Sequence, residues 1–177
     1  MSLQEHVSER GTVLVRTMRA EDAAAVAVAF AAQGWHKPVE QYTRYLEESA
    51  QGQRVVLLAE RAGEFAGYVT IVWESDYPPF REAGIPEIVD FNVLIKHQRG
   101  GIGTTLLDEA ERRIAMRSPV AGIGVGLTAD YGAAQVLYVK RGYVPDGRGT
   151  TQHGRAIRHG ERITVDDDLA LYFTKRL

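Results

Sequence analysis

The stretch His97 to Arg113, HQRGGIGTTLLDEAERR, limits what this chain can fold into more than any other. From Gly101 to about Arg117 apolar residues recur at Ile102, Leu106, Leu107, Ala110 and Ile114. Asp108, Glu109, Glu111, Arg112 and Arg113 lie between them, which predicts an amphipathic helix with those charged groups outward. The preceding run Glu87 to Ile95, EIVDFNVLI, reads as a strand. A strand that passes through Gly100, Gly101 and Gly103 into a helix is suited to an anion. Glycine permits left-handed torsions and a close backbone approach, and the first N–H groups of a helix have no internal acceptor. Those of Gly101, Ile102, Gly103 and Thr104 should point at one spot at the positive helix end, where a diphosphate fits. Two common phosphate motifs do not match. The P-loop needs Lys-Ser or Lys-Thr where this chain has Thr104-Thr105, and G-x-G-x-x-G finds Leu106 in its last place.

The rest of the chain supplies alternating elements. Thr12 to Met18 reads as a first strand, and Glu21 to Gln33 as a helix with Ala23, Val26, Ala27 and Phe30 on one face and Gly34 as its cap. Val39 to Ser49 reads as a second helix. Arg54 to Arg61 and Phe65 to Trp73, joined by Ala62-Gly63-Glu64, read as an antiparallel hairpin. Ser75 to Pro86 holds three of the six prolines and reads as an irregular loop. Gly122 to Leu127 is a short strand, Ala133 to Arg141 a helix closed by Gly142, and Tyr143-Val144 begins another strand. Leu169 to Thr174 is the last strand, and residues 146–168 carry no assignable pattern. The strand–helix–strand–helix order from residue 87 predicts a parallel crossover beside an antiparallel hairpin. The fold class expected is therefore α/β: a mixed, mostly antiparallel central sheet flanked by helices on both faces, in a single domain over 1–177 with its core about 12–177.

Composition excludes several chemistries. The chain has no cysteine, which removes disulfides, thiolate metal sites and a cysteine nucleophile together. A formal net charge of −2 gives no sign of a nucleic-acid partner. The N-terminus MSLQEHVSERG lacks the apolar core of a secretory signal, and no run reaches the roughly 18 apolar residues a membrane span needs. A cytoplasmic protein without a membrane partner is expected. The five histidines, His6, His36, His97, His153 and His159, show no metal-ligand spacing, so no metal is expected. Asp166-Asp167-Asp168 reads as a solvated turn.

With these residues in view, the chain resembles the GCN5-related N-acetyltransferase (GNAT) superfamily. The family's coenzyme motif, Arg/Gln-x-x-Gly-x-Gly/Ala, is matched by Gln98, Gly101 and Gly103. About 30 residues on, Ala134, Leu137, Tyr138, Gly142 and Tyr143 match Asn-x-x-Ala-x-x-Leu-Tyr-x-x-x-Gly-Phe/Tyr, with Tyr131 in the Asn place. The resemblance implies a GNAT-like acyl-CoA N-acyltransferase fold with acetyl-CoA as cosubstrate. Its pyrophosphate is held by Gln98, Arg99, Gly100, Gly101, Ile102, Gly103 and Thr104, with Tyr131 and Ala134 further along the coenzyme site. Its pantetheine arm is paired with the backbone of Phe91, Asn92, Val93 and Leu94, where the fourth and fifth family strands splay at a bulge. A backbone N–H near Val93 is implied to hold the thioester carbonyl.

By the same resemblance Tyr138 stands beside the coenzyme sulfur and gives its proton, or a hydrogen bond, to the departing thiolate. An ammonium of reference pKa near 10.4 must lose a proton before it attacks. Glu87, in the register of the histone-acetylating members, is the first candidate base. Asp90, on the opposite face of a regular strand, is the reserve, and a water chain or another group stays open. Trp35, His36, Tyr42, Tyr77, Phe80 and Arg81 are candidate walls of the acceptor site. The activity implied is transfer of an acetyl group to a primary amine, small molecule or peptide, by direct attack in a ternary complex. The family also makes a homodimer through an edge strand or the C-terminus unsurprising. The alternatives are a non-catalytic acyl-CoA-binding regulatory module and a nucleotide-binding phosphotransferase.

Overall fold

A computed structural model describes residues 4–8 and 11–177, with side chains from residue 13 onward. The sequence readings that rest on residues 1–3 and 9–10, and on the His6 side chain, fall outside the described part. In chain order the elements are β1 (Gln4–Ser8), β2 (Gly11–Thr17), α1 (Asp22–Ala31), α2 (Val39–Ala50), β3 (Arg54–Arg61), β4 (Glu64–Val72) and α3 (Pro78–Ala83). They continue as β5 (Glu87–Val93), α4 (Ile102–Ala115), β6 (Val120–Gly126), α5 (Gly132–Lys140), β7 (Val144–Gln152), β8 (Arg155–Ala156) and β9 (Leu169–Arg176). Single-turn helices lie at Ile95–His97 and Ala129–Tyr131. The fold is α/β with a mixed sheet flanked by helices. Among the described pairings only β5 with β6 is parallel, and the crossover between them is α4. Among the described residues no helix is long and apolar enough to cross a membrane.

By internal packing the chain divides into two units, one reaching to Val72 and resuming at Val89–Arg113, the other Trp73–Ile88 and Ile114–Leu177. In the first, β1, β2, β3 and β4 pair antiparallel in sequence order. α1 turns Ala23, Val26 and Phe30 inward. Phe30 is fully buried, stacked 5.8 Å from Trp35 and edge-on to Phe65 and Tyr68 at 5.7 Å each. Tyr42 and Tyr45 of α2 complete that core with Val56 and Leu58 of β3. In the second unit β6 pairs with β9, β9 with β7, and β7 with β8. Tyr77 and Tyr172 stack with ring centres 3.7 Å apart, and Phe80 stands edge-on to both.

The structure departs from the sequence reading in five places. A strand, β1, precedes the first expected one, polar in sequence because it is paired with β2 alone. The hairpin turn is two residues, Ala62 (φ 52°) and Gly63 (φ 78°), with Arg61 paired to Glu64, as a right-twisted hairpin prefers. The proline-rich loop contains α3. Its prolines occupy N1 and N2, where no N–H is needed, and Gly84 at φ 64° closes it. β7 runs through the unassigned segment to Gln152 and is mostly exposed, so it carries no apolar alternation to read. Glu109 does not face solvent: it is 4% exposed, under bonds of 2.6–2.7 Å from Arg112 and Arg113. The apolar face of α4 is as expected, with all five residues 0–1% exposed.

Candidate active site

The loop ahead of α4 is built to expose amides. Arg99 sits at φ 56° and Gly101 at φ 84°, while Gly100 is not left-handed. Such alternation turns successive N–H groups toward a common concavity. The carbonyls are tied the other way. Arg61, at the end of β3, donates from Nη2 to Gly100 O. Gly101 O accepts from Thr105 N at 3.0 Å and from Thr105 Oγ1 at 3.1 Å. In a planar trans peptide the carbonyl of one residue and the N–H of the next point in opposite directions. Holding these two carbonyls therefore turns the N–H groups of Gly101 and Ile102 outward. Nothing lies within 4 Å of where a Gly101 Cβ would be, so a ligand can reach the main chain there. A Cβ on Gly103 would stand 2.9 Å from the tip of the Phe91 ring, which fixes how closely α4 meets β5. The residues present fit a diphosphate. Arg61 and Thr105 are parts of this loop that sequence spacing did not reveal, because both act on carbonyls from outside the motif.

On β5, Leu94 N–H donates to Ala66 O of β4 at 2.9 Å, and Asn92 O lies 2.7 Å from where a Gly67 Cβ would be. Main-chain groups alternate along a strand, so those of Phe91 and Val93 face away from β4. Leu94 N–H is therefore taken up by β4. Gln98 Nε2 reaches back to Val93 O at 3.3 Å.

Asp90 breaks the strand. At φ 49° it is not a regular β residue, which overturns the simple face alternation expected of it. Its carboxylate accepts from Lys37 Nζ (3.0 Å) and Asn92 Nδ2 (2.7 Å) on Oδ1, and from Gln41 Nε2 (2.7 Å), Tyr45 OH (3.0 Å) and Tyr68 OH (2.5 Å) on Oδ2. Burial pushes the carboxyl up, but the Lys37 charge with hydrogen bonds from Tyr68, Lys37 and Tyr45 outweighs it and holds the group below its ordinary value. An ionised carboxylate with five donors has little basicity left, so Asp90 is a poor reserve base. Burial and the facing Asp90 in turn push Tyr45 up to about 12, keeping its hydroxyl a donor.

In the second unit Glu87 is 7% exposed, which removes the solvated-edge reading, and it accepts from Ser75 Oγ at 2.5 Å. Ser75 Oγ is itself held by Tyr77 N–H at 2.9 Å. Tyr138 is 5% exposed on α5, and burial, with Tyr131 nearby, raises its phenol above the usual value. Tyr131 in the Asn position donates to Asp167 Oδ1 at 3.2 Å, and Ala134 is half-buried. Of the expected acceptor walls, Tyr42, Tyr77 and Phe80 are core side chains at 0–2% exposure, Trp35 is half-buried, and His36 and Arg81 are exposed. Sequence spacing hid one cluster: His153, Asp166 and Asp168 bring ligating atoms within 4.8 Å of one another. All three are exposed, and Asp166 already accepts from Gln152 and from Asp168 N–H, as a turn would require.

No curated protein matches the chain. Solved structures share its fold. A ribosomal-protein-alanine N-acetyltransferase from Brucella melitensis is 22% identical, with a TM-score of 0.67 over 92% of this chain and 99% of that one. An acetyltransferase from Salmonella typhimurium that modifies the N-terminal serine of ribosomal protein L7/L12 is 13% identical, with a TM-score of 0.69 over 97% and 98%. A putative acetyltransferase from Salmonella typhimurium, solved with its cofactor acetyl-CoA, is 18% identical, with a TM-score of 0.62 over 93% of each chain. A family model, the acetyltransferase (GNAT) domain, matches residues 15–159. With most of its length matched by that model, the chain belongs to the GNAT acetyltransferase family.

Proposed function

We propose that the chain transfers the acetyl group of acetyl-CoA to a primary amine by direct attack in a ternary complex. The observation that carries this reading is the loop before α4, where Arg61 and Thr105 hold the carbonyls of Gly100 and Gly101 and so present the adjoining amides to a diphosphate. The coenzyme, when bound, supplies an activated acyl thioester. Gln98 to Thr104 bind its diphosphate, and the Phe91 main chain and the Val93 N–H, on the side of β5 away from β4, face its arm. Val93 N–H stabilises the negative charge that develops on the thioester oxygen.

Tyr138 acts on the leaving sulfur. A thiol has a reference pKa of about 8.5 and a phenol about 10, and burial raises this phenol further. Tyr138 therefore stays protonated and donates a hydrogen bond to the thiolate rather than surrendering its proton outright. Glu87, oriented by Ser75, is the group we assign to the amine proton. A carboxylate of reference pKa about 4.3 cannot hold the proton of a free ammonium near 10.4. It removes the proton as the N–C bond forms, when the nitrogen becomes strongly acidic.

Two of the solved structures with this fold are described as acting on ribosomal proteins, at alanine and at an N-terminal serine. Peptide N-termini beginning with Ala or Ser therefore head the acceptor panel, ahead of lysine side chains, polyamines and aminoglycosides. The test is thiol release from acetyl-CoA against that panel, with mass spectrometry locating the acetyl group. Release with one acceptor class supports the reading. A protein that binds acetyl-CoA but releases no thiol with any amine is a regulatory module instead.

A further inference from the structure

Asp90 holds a left-handed backbone at φ 49° in the middle of β5. Strained torsions persist where the surroundings over-determine them, and they cluster at functional sites. Here two separate networks do the holding. One is the carboxylate itself, with donors from the segment after α1 (Lys37), from successive turns of α2 (Gln41, Tyr45), from β4 (Tyr68) and from β5 (Asn92). The other grips the preceding residue: Thr70 Oγ1 donates to Val89 O at 3.0 Å and accepts from Arg54 Nη1 at 2.7 Å. Arg54 lies 4.1 Å over the Tyr45 ring and is fixed by Glu48 at 2.5 Å, so the second network returns to α2. The Lys37 ammonium also lies 5.7 Å from the ring centres of Phe30 and Tyr68, which anchors it to the α1 core. Five side chains thus converge on one carboxylate, at the residue immediately before Phe91.

We propose that Asp90 is a positioning residue: through Lys37, Gln41 and Tyr45 it lets α1 and α2 set the β5 kink that aims the Phe91 and Val93 main chain at the thioester. This rests on the acetyl-CoA reading above. The carboxylate never touches the reacting atoms. It fixes the direction of an N–H, and a misplacement of about 1 Å in such a group costs on the order of a hundredfold in rate.

The test compares Asp90→Asn and Asp90→Gly with the wild type. Both tolerate a left-handed backbone and both remove the charge while leaving the torsion accessible; glycine removes all five bonds, and asparagine keeps one acceptor oxygen but sets an NH2 against the other donors. Acetyl-CoA binding is measured by calorimetry, and turnover with the best acceptor is divided by the calorimetric number of sites. The expected result is a fall in kcat of about 10- to 100-fold per binding site, with Kd for acetyl-CoA within threefold, because the diphosphate loop is untouched. Lys37→Met and Tyr45→Phe each remove one donor, and a fall of roughly three- to tenfold is expected from each. They keep the test alive where the Asp90 variants do not fold. Turnover per site within twofold of wild type in the folded variants overturns the proposal. So does a loss that only follows the number of binding-competent molecules, since that is stability alone. A wild type that fails to bind acetyl-CoA overturns the functional reading instead.

Discussion

Gly101→Val is the substitution that asks most directly whether the loop amides hold the coenzyme. Gly101 sits at φ 84° with no protein atom within 4 Å of a Cβ, so the effect of a side chain on the free loop is conformational. A non-glycine residue held in that region costs about 1–3 kcal/mol, and a β-branched one lies toward the upper end. The loop relieves this strain by turning the peptides on either side of residue 101. That turn breaks the alignment set by the Arg61 and Thr105 contacts to the neighbouring carbonyls. It swings the N–H groups of Gly101 and Ile102 off the diphosphate. A hydrogen bond to a charged group contributes about 1.5–3 kcal/mol, and 1.4 kcal/mol is tenfold in affinity. Loss of one such bond weakens acetyl-CoA binding roughly 10- to 100-fold. The control is Gly84→Val, which places the same residue at φ 64°, also with nothing within 4 Å, at the end of α3. Calorimetric titration with acetyl-CoA should separate the two: similar falls in Tm, but weakened binding only for Gly101→Val. If Gly101→Val binds within twofold of wild type while its Tm falls as far as the control's, the loop does not grip the diphosphate.

Four further outcomes follow from the structure. Tyr138→Phe removes the hydrogen bond to sulfur with little change in volume, and kcat should fall about 100-fold with acetyl-CoA affinity retained; unchanged turnover removes Tyr138 from the mechanism. Arg61→Met frees the Gly100 carbonyl, and the acetyl-CoA Kd measured by calorimetry should rise roughly three- to tenfold, the equivalent of one net hydrogen bond. Phe30→Ala opens the aromatic core of the first unit at a cost of about 3–5 kcal/mol, which at about 2–4 °C per kcal/mol is a fall of roughly 6–20 °C in Tm. Acid should destabilise the protein with a defined sign. Asp22, Asp90 and Glu109 all lie below their ordinary values when folded, so they bind fewer protons than in the unfolded chain. Their contribution is complete above about pH 5 and is lost as pH falls through the folded values; the loss should be shallower in Asp90→Asn when Tm is followed against pH.

The parts legible in the sequence were those written in backbone requirements. A glycine at 101 announces a left-handed residue, an apolar stripe from Ile102 to Ile114 announces a helix with one buried face, and the structure has both. The same rule explains the losses. α3 was hidden because Pro78 and Pro79 act as breakers inside a helix but as starters at its first turn. β7 was expected to begin at Tyr143-Val144, but its run to Gln152 was hidden because an exposed strand has no reason to alternate. Glu109 looked like a surface charge because its covering arginines stand three and four residues on, and the helical pattern reads only which face a residue takes. Arg61 and Thr105 could not be read as a pair, since nothing in a sequence says that an arginine 39 residues before Gly100 donates to its carbonyl.

Asp90 shows why a strand motif gives the main chain of a site more readily than its side chains. Alternation assigned it a face, and from that face a reserve role as base; both assumed an unbroken strand. The left-handed torsion breaks the alternation at that residue, and the five donors explain the torsion, but each donor comes from a different stretch: residue 37, residues 41 and 45, residue 68 and residue 92. A lysine, a glutamine, two tyrosines and an asparagine so dispersed form no pattern until the chain is folded. The physical consequence is a division of labour. The loop before α4 depends on glycines and amides that any side chain would obstruct, so little variation there is compatible with an open main chain. The kink in β5 depends on a polar network whose members must satisfy one another, and replacing one member leaves a buried carboxylate or hydroxyl unpaired. The kink should therefore survive only concerted changes around Asp90, Lys37 and α2, and single substitutions there should lower turnover.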